Sequence, residues 1–274
     1  MTSEDRDSPH HYDGAGSRSS ASVTGQGAGR GSDKPPKPKR KQLPLWQESI
    51  LLMAVALVMA VLVKAFFVQA FYIPSESMEP GLVENDRILV QKISYWGSGE
   101  AERGDVVVFK DPGSWLPEAA AAGSSNPIVK VMTKIGLYPE GGHLVKRVVG
   151  VAGDVIECCD DDGNLLVNGE PVEESAYVKD NPNANCNGPM TGNCSWKAGP
   201  VPEGHIFVMG DNRAASADSS YHLCRDGATE CVGGREFVPT DLVVGRLFTV
   251  IWPLTNMRLD RRPDSFDAVP AAEK

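Results

Sequence analysis

Large apolar side chains are almost absent from Met1 to about Leu43. They are then unbroken from Ile50 to Phe71 except at Lys64 and Gln69, and thereafter come in short clusters. The first stretch, rich in Gly, Ser, Asp, Lys and Pro, has too little apolar surface to offset its ordering entropy and is expected to be disordered. The second contains 22 residues. As a helix it would span ~33 Å against a hydrocarbon core of ~30 Å, which predicts a membrane helix. Beyond Tyr72 the pattern becomes short Val- and Ile-rich runs bounded by Gly, Pro, Asn and Asp: Asp86 to Val90, Asp105 to Phe109, Leu144 to Val149, Asp154 to Cys158, Leu165 to Val167, His205 to Met209 and Leu242 to Ile251. With no long 3.6-period segment among them, these runs predict strands.

The fold class expected is therefore mainly β, an antiparallel β-sheet domain preceded by a disordered tail and one transmembrane helix. The boundaries read as a tail over 1–45, the membrane helix over 46–71, the β domain over 72–258 and a polar C-terminal tail over 259–274. Asp160 to Gly169, with its Asp162-Gly163 and Asn168-Gly169 pairs, has the turn chemistry of a small hairpin. Asp111 to Pro127 and Asp180 to Pro200 read as long insertions.

Charge orients this arrangement. Lys34, Lys37, Lys39, Arg40 and Lys41 precede the apolar run, and the positive-inside rule places them in the cytoplasm, so everything after Tyr72 is expected outside. Lys64 can snorkel toward the far interface, where Phe66, Phe67, Phe71 and Tyr72 also gather. The apolar run is too long for a cleaved secretory signal, and no small-x-small site follows it. The chain carries a net charge of −9, with +3 over residues 1–45 and hence −12 beyond them. An acidic exterior domain argues against nucleic acid as a partner.

Cys158, Cys159, Cys186, Cys194, Cys224 and Cys231 all fall on the exterior side. An even count in an oxidising compartment favours disulfides. Cys186 with Cys194 and Cys224 with Cys231 are local candidates, and Cys158 can pair with Cys159 or elsewhere, but sequence does not select among the roughly 15 connectivities. No Cys-x-x-Cys or Cys/His spacing suggests zinc, and no metal or other cofactor is expected.

Two residues stand out chemically. Ser77 follows the membrane run closely, between Pro74 and Pro80 and beside Met78, a setting that stiffens its backbone against an apolar wall. A turn serine in a linker is the plain alternative. Lys146 alternates with Leu144 and Val148 on one face while Arg147 shares the other with Val145 and Val149, so one of two adjacent cations must approach apolar surroundings. Its plain alternative is an edge-strand lysine. A buried lysine loses its water, its pKa falls, and it becomes a base able to activate a serine. Lys130 and Lys134 are rival bases in a less regular stretch. A Gly210-Asp-Asn-Arg213 turn after the His205 to Met209 run would present Ser216 and Asp218 on a loop. His143, His205 and His222 lie outside, but there is neither a Gly-x-Ser-x-Gly elbow nor a His-Glu-x-x-His motif.

Four blocks, Pro74-Ser-Glu-Ser-Met-Glu-Pro80, Gly104-Asp-Val-Val-Val-Phe109, Lys146-Arg-Val-Val-Gly150 with Gly153-Asp154, and Gly210-Asp-Asn-Arg213 through Ser216 and Asp218, together resemble the bacterial type I signal peptidases. The resemblance implies a membrane-anchored serine endopeptidase that removes signal peptides from exported preproteins. It implies Ser77 as nucleophile, Lys146 as general base, the Ser77 N–H and Ser75 hydroxyl as oxyanion hole, and Ser216 as orienter of the lysine. Asp211, Asn212, Arg213 and Asp218 would be structural support. Phe71, Ile73, Met78, Leu82, Leu144 and Val145 match positions lining apolar pockets for small side chains at −1 and −3 of the preprotein. The resemblance also implies the bacterial cell membrane as location, with the lipid bilayer and the export machinery as neighbours.

The chain departs from the family pattern at Ala214 and Ala215, where Asp and Asn are common, and at Ser220, often Arg. Ala214, Ala215 and Ser220, the last with loss of an ion pair to Asp218, together motivate a competing reading, a catalytically weakened homologue serving as an anchored extracytoplasmic binding module.

Overall fold

The structure, a computed structural model, describes residues 44–95, 97, 99–113, 115–117, 126, 142–224 and 232–272. The expectation for residues 1–43, most of the insertion from Asp111 to Pro127, the Lys64 side chain, Lys130, Lys134 and Cys231 lie outside the described residues.

Helix α1 spans Leu45–Phe66, and its Leu45–Val63 portion is long and apolar enough to cross a membrane. It stops five residues short of the apolar run. Val68–Tyr72 instead forms strand β1, paired antiparallel with β2 (Arg87–Gln91) from Val68 opposite Gln91 to Tyr72 opposite Arg87. This corrects the helix boundary expected at residue 71. Composition alone could not separate an apolar helix from an apolar strand, and the ladder to β2, with Phe71 buried beneath it, decides in favour of strand.

The remaining strands are β3 (Val106–Lys110), β4 (His143–Gly150), β5 (Ile156–Cys158), β6 (Leu165–Val167), β7 (Glu170–Val172), β8 (Trp196–Ala198), β9 (His205–Met209), β10 (Val238–Pro239), β11 (Val243–Trp252) and β12 (Arg258–Leu259). Among the described residues they form two antiparallel sheets. One runs β1-β2-β11-β3-β4-β9-β10 with β12 on β11, and the other runs β7-β6-β5-β8. Mainly antiparallel β is thus the fold class, as the short punctuated runs indicate.

Strand β3 explains why the first sheet holds together. Its four valine and phenylalanine positions are all buried, Val106 and Val108 in one apolar cluster and Val107 and Phe109 in another, so it is central and packed on both faces. In the second sheet, β6 turns into β7 through Asn168 and Gly169 at φ 55° and 84°, the left-handed pair that a two-residue hairpin requires. β8 lies inside the expected insertion 180–200, pairing Trp196 with Cys158.

The C-terminal stretch is not a loose tail. Phe266 and Val269 are buried in the cluster that contains Tyr177 and Phe207, and Arg262 pairs with Asp105 and Glu102. The domain therefore continues past residue 258, because two apolar side chains in a polar segment suffice to dock it. Cys158 is bonded to Cys159 and Cys186 to Cys194, the latter with Cα atoms 5.3 Å apart. Cys224 is also disulfide-bonded.

Candidate active site

Strand β1 delivers the chain into the segment that carries Ser77. Ile73 closes the ladder by donating its N–H to the Asp86 carbonyl at 2.9 Å, and the chain then makes a single 3-10 turn, Glu76–Met78. Met78 is buried in the cluster formed by Phe71, Ile73, Leu82, Ile88 and Val90, which anchors the turn from below. The turn is tied on its other side by Asn212, whose N–H donates to the Ser77 carbonyl at 3.1 Å and whose side-chain amide donates to the Glu76 carbonyl at 3.2 Å.

Lys146 lies in the middle of β4, opposite Val107 of β3. Its Nζ is 2.7 Å from Ser77 Oγ. Only 3% of the lysine and 7% of the serine is exposed. Burial strips water from the amine and pulls its pKa down to about 8 from the usual 10.5, against the upward pull of Asp218 and Asp211. With the amine protonated, its N–H donates to Oγ, and with the amine neutral, the hydroxyl donates to nitrogen. The second state is a serine poised to lose its proton. Ser75 presents its hydroxyl 3.3 Å from Ser77 Oγ, on the exposed side of the turn.

The loop after β9 closes the site. Gly210 is required there by close approach: a Cβ on it would stand 2.3 Å from Ser216 Oγ and 2.5 Å from the Ser77 carbonyl oxygen. Ser216 donates its hydroxyl hydrogen to Asp218 Oδ2 at 2.5 Å, so toward an amine it can act only as acceptor. Asp211 receives Arg147 Nε and Nη2 at 2.8 and 2.6 Å. Arg213 is buried against Glu174, with Nη2 2.5 Å from Oε1. Each cation of this loop region is thus matched by a carboxylate, which is what buried charges need.

Among the residues matching apolar pocket positions, Phe71, Ile73, Met78 and Leu82 fall in one cluster with Val145 packed against it. Leu144 points to the other face of β4 and joins Val107, Val148 and Val208. Met78 and Leu82 also line a cavity of about 510 Å³ with Arg147, Tyr177, Asp211 and Asp260, which neither Ser77 nor Lys146 reaches.

Residues 46–252 match the family described as signal peptidase, peptidase S26. The chain belongs to this family. It is 35% identical over 235 residues to a probable signal peptidase I of Mycobacterium leprae, covering 78% of each chain. It is 36% identical over 223 residues to signal peptidase I of Mycobacterium tuberculosis, covering 76% of this chain and 72% of that one. It is 32% identical over 202 residues to signal peptidase I P of Bacillus subtilis subsp. natto, covering 72% and 90%. Membership makes this a hydrolase, a serine endopeptidase that cleaves signal peptides.

The four sequence blocks of the family occupy distinct places. Two of them supply Ser77 and Lys146. The other acids are pins: Asp154 accepts from Arg103 at 2.7 and 2.5 Å, and Asp105 from Tyr95 and Arg262. Sequence reasoning missed Glu174 and Tyr177, which lie in a polar segment without pattern. Tyr177 donates to Glu174 and carries Arg147 on its ring, and Val178 bridges to Pro80 beside the Ser77 turn. The available signal was the arginine of Gly210-Asp-Asn-Arg213, which once buried demands a carboxylate from elsewhere. Ser220 proves more than a gap in the pattern. Its N–H and hydroxyl both donate to Asp218 Oδ1, at 3.0 and 2.7 Å.

Proposed function

We propose that the chain is a membrane-anchored signal peptidase working through a Ser77–Lys146 dyad. The observation that carries this reading is the 2.7 Å contact between two buried groups, one of them an amine whose pKa has been brought down to about 8. The neutral amine takes the Ser77 proton as Oγ attacks the scissile carbonyl, and the Lys146 ammonium then gives that proton to the departing amine as the C–N bond breaks, leaving an acyl-enzyme and a neutral lysine. A water then loses its proton to Lys146 and attacks the ester, and as the C–Oγ bond breaks the Lys146 ammonium returns that proton to Oγ, which releases the acid and restores Ser77. The Ser77 N–H and the Ser75 hydroxyl act as donors to the developing oxyanion, each worth about 3 to 4 kcal/mol of barrier lowering. The role of lysine orienter expected of Ser216 has no direct contact behind it, since the Ser216 hydroxyl is committed to Asp218 and the amine meets Ser77.

Substrates are preproteins with small residues at −1 and −3, which suits the apolar surface formed by Phe71, Ile73, Met78 and Leu82 with Val145 packed against it, while Leu144 faces the other side of β4. Helix α1 anchors the enzyme in the bacterial cell membrane with the basic segment 34–41 in the cytoplasm. Exposed Tyr72 and Trp252 flank Arg87 across neighbouring strands, and Phe67, Phe248 and Leu254 are exposed nearby in sequence, an apolar set suited to the bilayer interface. Anchoring holds Ser77 where a cleavage point emerges from the export machinery, raising effective concentration.

The reading of a weakened homologue, motivated by Ala214, Ala215 and Ser220, is the alternative, and the two hydrogen bonds from Ser220 to Asp218 weigh against its Ser220 part. Detergent-solubilised protein is expected to cut a precursor bearing Ala-x-Ala, while Ser77→Ala and Lys146→Ala do not. Cutting retained by either variant would remove the dyad.

A further inference from the structure

The cavity of about 510 Å³ beside the Ser77 turn is lined by Arg147 and not by Lys146, so it lies on the other face of β4 from the dyad. Sites that hold small molecules occupy ~300 to 1,000 Å³, and this one is within that range. Met78, Leu82, Val106, Leu247 and Leu259 give it an apolar wall. Its polar groups are of two kinds. Arg147 and Asp211 close on each other, and the third nitrogen of Arg147 donates to the Gly104 carbonyl at 2.8 Å, so this pair needs nothing from a ligand.

Asp260, another lining residue, is different. Its backbone N–H donates to the Phe248 carbonyl at 3.0 Å, which fixes it just past β12, yet its Oδ2 is buried and accepts no hydrogen bond among the described residues. Leaving a buried carboxylate oxygen bare is costly, and a ligand donor is what would complete it. Burial pushes its pKa up to about 6, helped by Asp211 from the loop after β9 and opposed by Arg147 from β4, Arg246 from β11 and Arg258 from β12. The group is therefore ionised at neutral pH. None of these arginines supplies the missing hydrogen. Arg147 is spent on Asp211, Arg246 pairs with Asp105, and Arg258 Nη1 donates to the Asn256 carbonyl and Oδ1 at 3.3 and 2.6 Å. That leaves Arg258 Nε and Nη2 to donate elsewhere, and Arg261, an exposed lining residue, follows Asp260 directly.

We propose that this cavity is a binding site for a small aliphatic zwitterion of the amino-acid or dipeptide class, its ammonium donating to Asp260 Oδ2, its carboxylate accepting from Arg258 and Arg261, and its side chains lying on the Met78, Leu82 and Leu247 wall. A plain amine would answer Asp260 and set a second cation against the two arginines. A plain acid would answer the arginines and leave Oδ2 bare. A molecule carrying both charges meets both needs and brings no net charge into a partly buried site, where an unmatched one is expensive. The inference goes beyond the dyad reading and stands or falls independently of it.

The test is calorimetric titration of full-length solubilised protein with the dipeptide Leu-Leu near neutral pH, beside N-acetyl-Leu-Leu, which lacks the ammonium, and Leu-Leu amide, which lacks the carboxylate. Leu-Leu is expected to bind, and each analogue to bind about tenfold or more weakly, the scale of one lost hydrogen bond to a charged group. Asp260→Asn is expected to weaken Leu-Leu by a similar factor and to leave N-acetyl-Leu-Leu unchanged. Arg258→Met is expected to weaken Leu-Leu and to spare the amide. Wild-type affinity for Leu-Leu is expected to fall as pH drops through about 6, where Asp260 takes up a proton, and to stay level in Asp260→Asn. Absence of binding overturns the proposal. So does Leu-Leu bound equally tightly by Asp260→Asn, which would place the dipeptide elsewhere, the peptide cleft at Ser77 included. Should Asp260→Asn not fold, analogues bound by the wild type as tightly as Leu-Leu overturn it alone.

Discussion

The Arg147 guanidinium carbon lies 4.4 Å from the centre of the Tyr177 ring, while two of its nitrogens clasp both oxygens of Asp211. This pair sits on the opposite face of β4 from Lys146 and backs the loop that carries Asn212 to Ser77. Removing one partner leaves a buried charge without compensation, so Arg147→Met and Asp211→Asn are each expected to destabilise the domain by about 3 to 5 kcal/mol. The double variant Arg147→Met/Asp211→Asn is expected to cost less than the sum, because no orphan charge remains. Urea denaturation of the four proteins measures this. Strict additivity would show that the pair is not coupled.

Gly210 is the point at which the lysine side and the serine side of the site touch. A methyl group there would meet Ser216 Oγ at 2.3 Å and the Ser77 carbonyl at 2.5 Å, so one of the two must move. Displacing a reacting group by even ~1 Å can cost about 100-fold, and Gly210→Ala is expected to lower kcat by that order. Steady-state kinetics on the precursor peptide, with circular dichroism to verify folding, checks it. A near-normal kcat would mean that the loop relaxes freely.

Ser77 and Lys146 were legible in the sequence as a candidate pair because both residues sit in contiguous blocks. Ser77 lies between two prolines, and Lys146 lies on a strand whose alternation puts one of two adjacent cations into apolar surroundings. The central strands were legible for the same reason, since a run such as Val106 to Phe109 has few uses other than a buried strand. What escaped depended on pairing across distance. Val68–Tyr72 is as apolar as the helix before it, and only its ladder with β2 makes it a strand. Glu174 and Tyr177 act through Arg213 and Arg147, which are 39 and 30 residues away in the chain. Ser220 reads as a missing cation in one dimension, and only its two contacts to Asp218 show what replaces that cation.

The docked C-terminal stretch invites a direct measurement. Phe266 is buried in a tilted contact with Tyr177, ring centres 6.1 Å apart, and so supports the same tyrosine on which Arg147 lies. Truncating a buried phenylalanine to alanine costs about 3 to 5 kcal/mol through lost transfer energy and the cavity left behind. Phe266→Ala is expected to fall in that range in urea denaturation. A loss under about 1 kcal/mol, the scale of an ordinary surface substitution, would mean that the segment is dispensable packing.

Lys146 should reveal itself in stability as well as in rate. Its pKa is near 8 in the folded protein, because burial penalises the ammonium, against 10.5 for an unperturbed lysine. Between those values the unfolded chain binds a proton that the folded chain does not, so unfolding free energy rises with pH across this window. The stabilisation is fully present above the unfolded value and is lost as pH falls through about 8. A shift of this size corresponds to about 3 kcal/mol. Lys146→Met removes the titrating group and keeps an apolar chain of similar length. Urea midpoints measured from about pH 7 to about pH 10.5 in both proteins should therefore diverge, with the wild type gaining on the variant as pH increases. Other lysines and tyrosines titrate in both proteins and cancel in the difference. Because activity is not involved, parallel curves would refute the depressed amine even if Lys146→Ala were inactive. Divergence in that window, together with a kcat/KM limb near the same pH, ties the base to this residue.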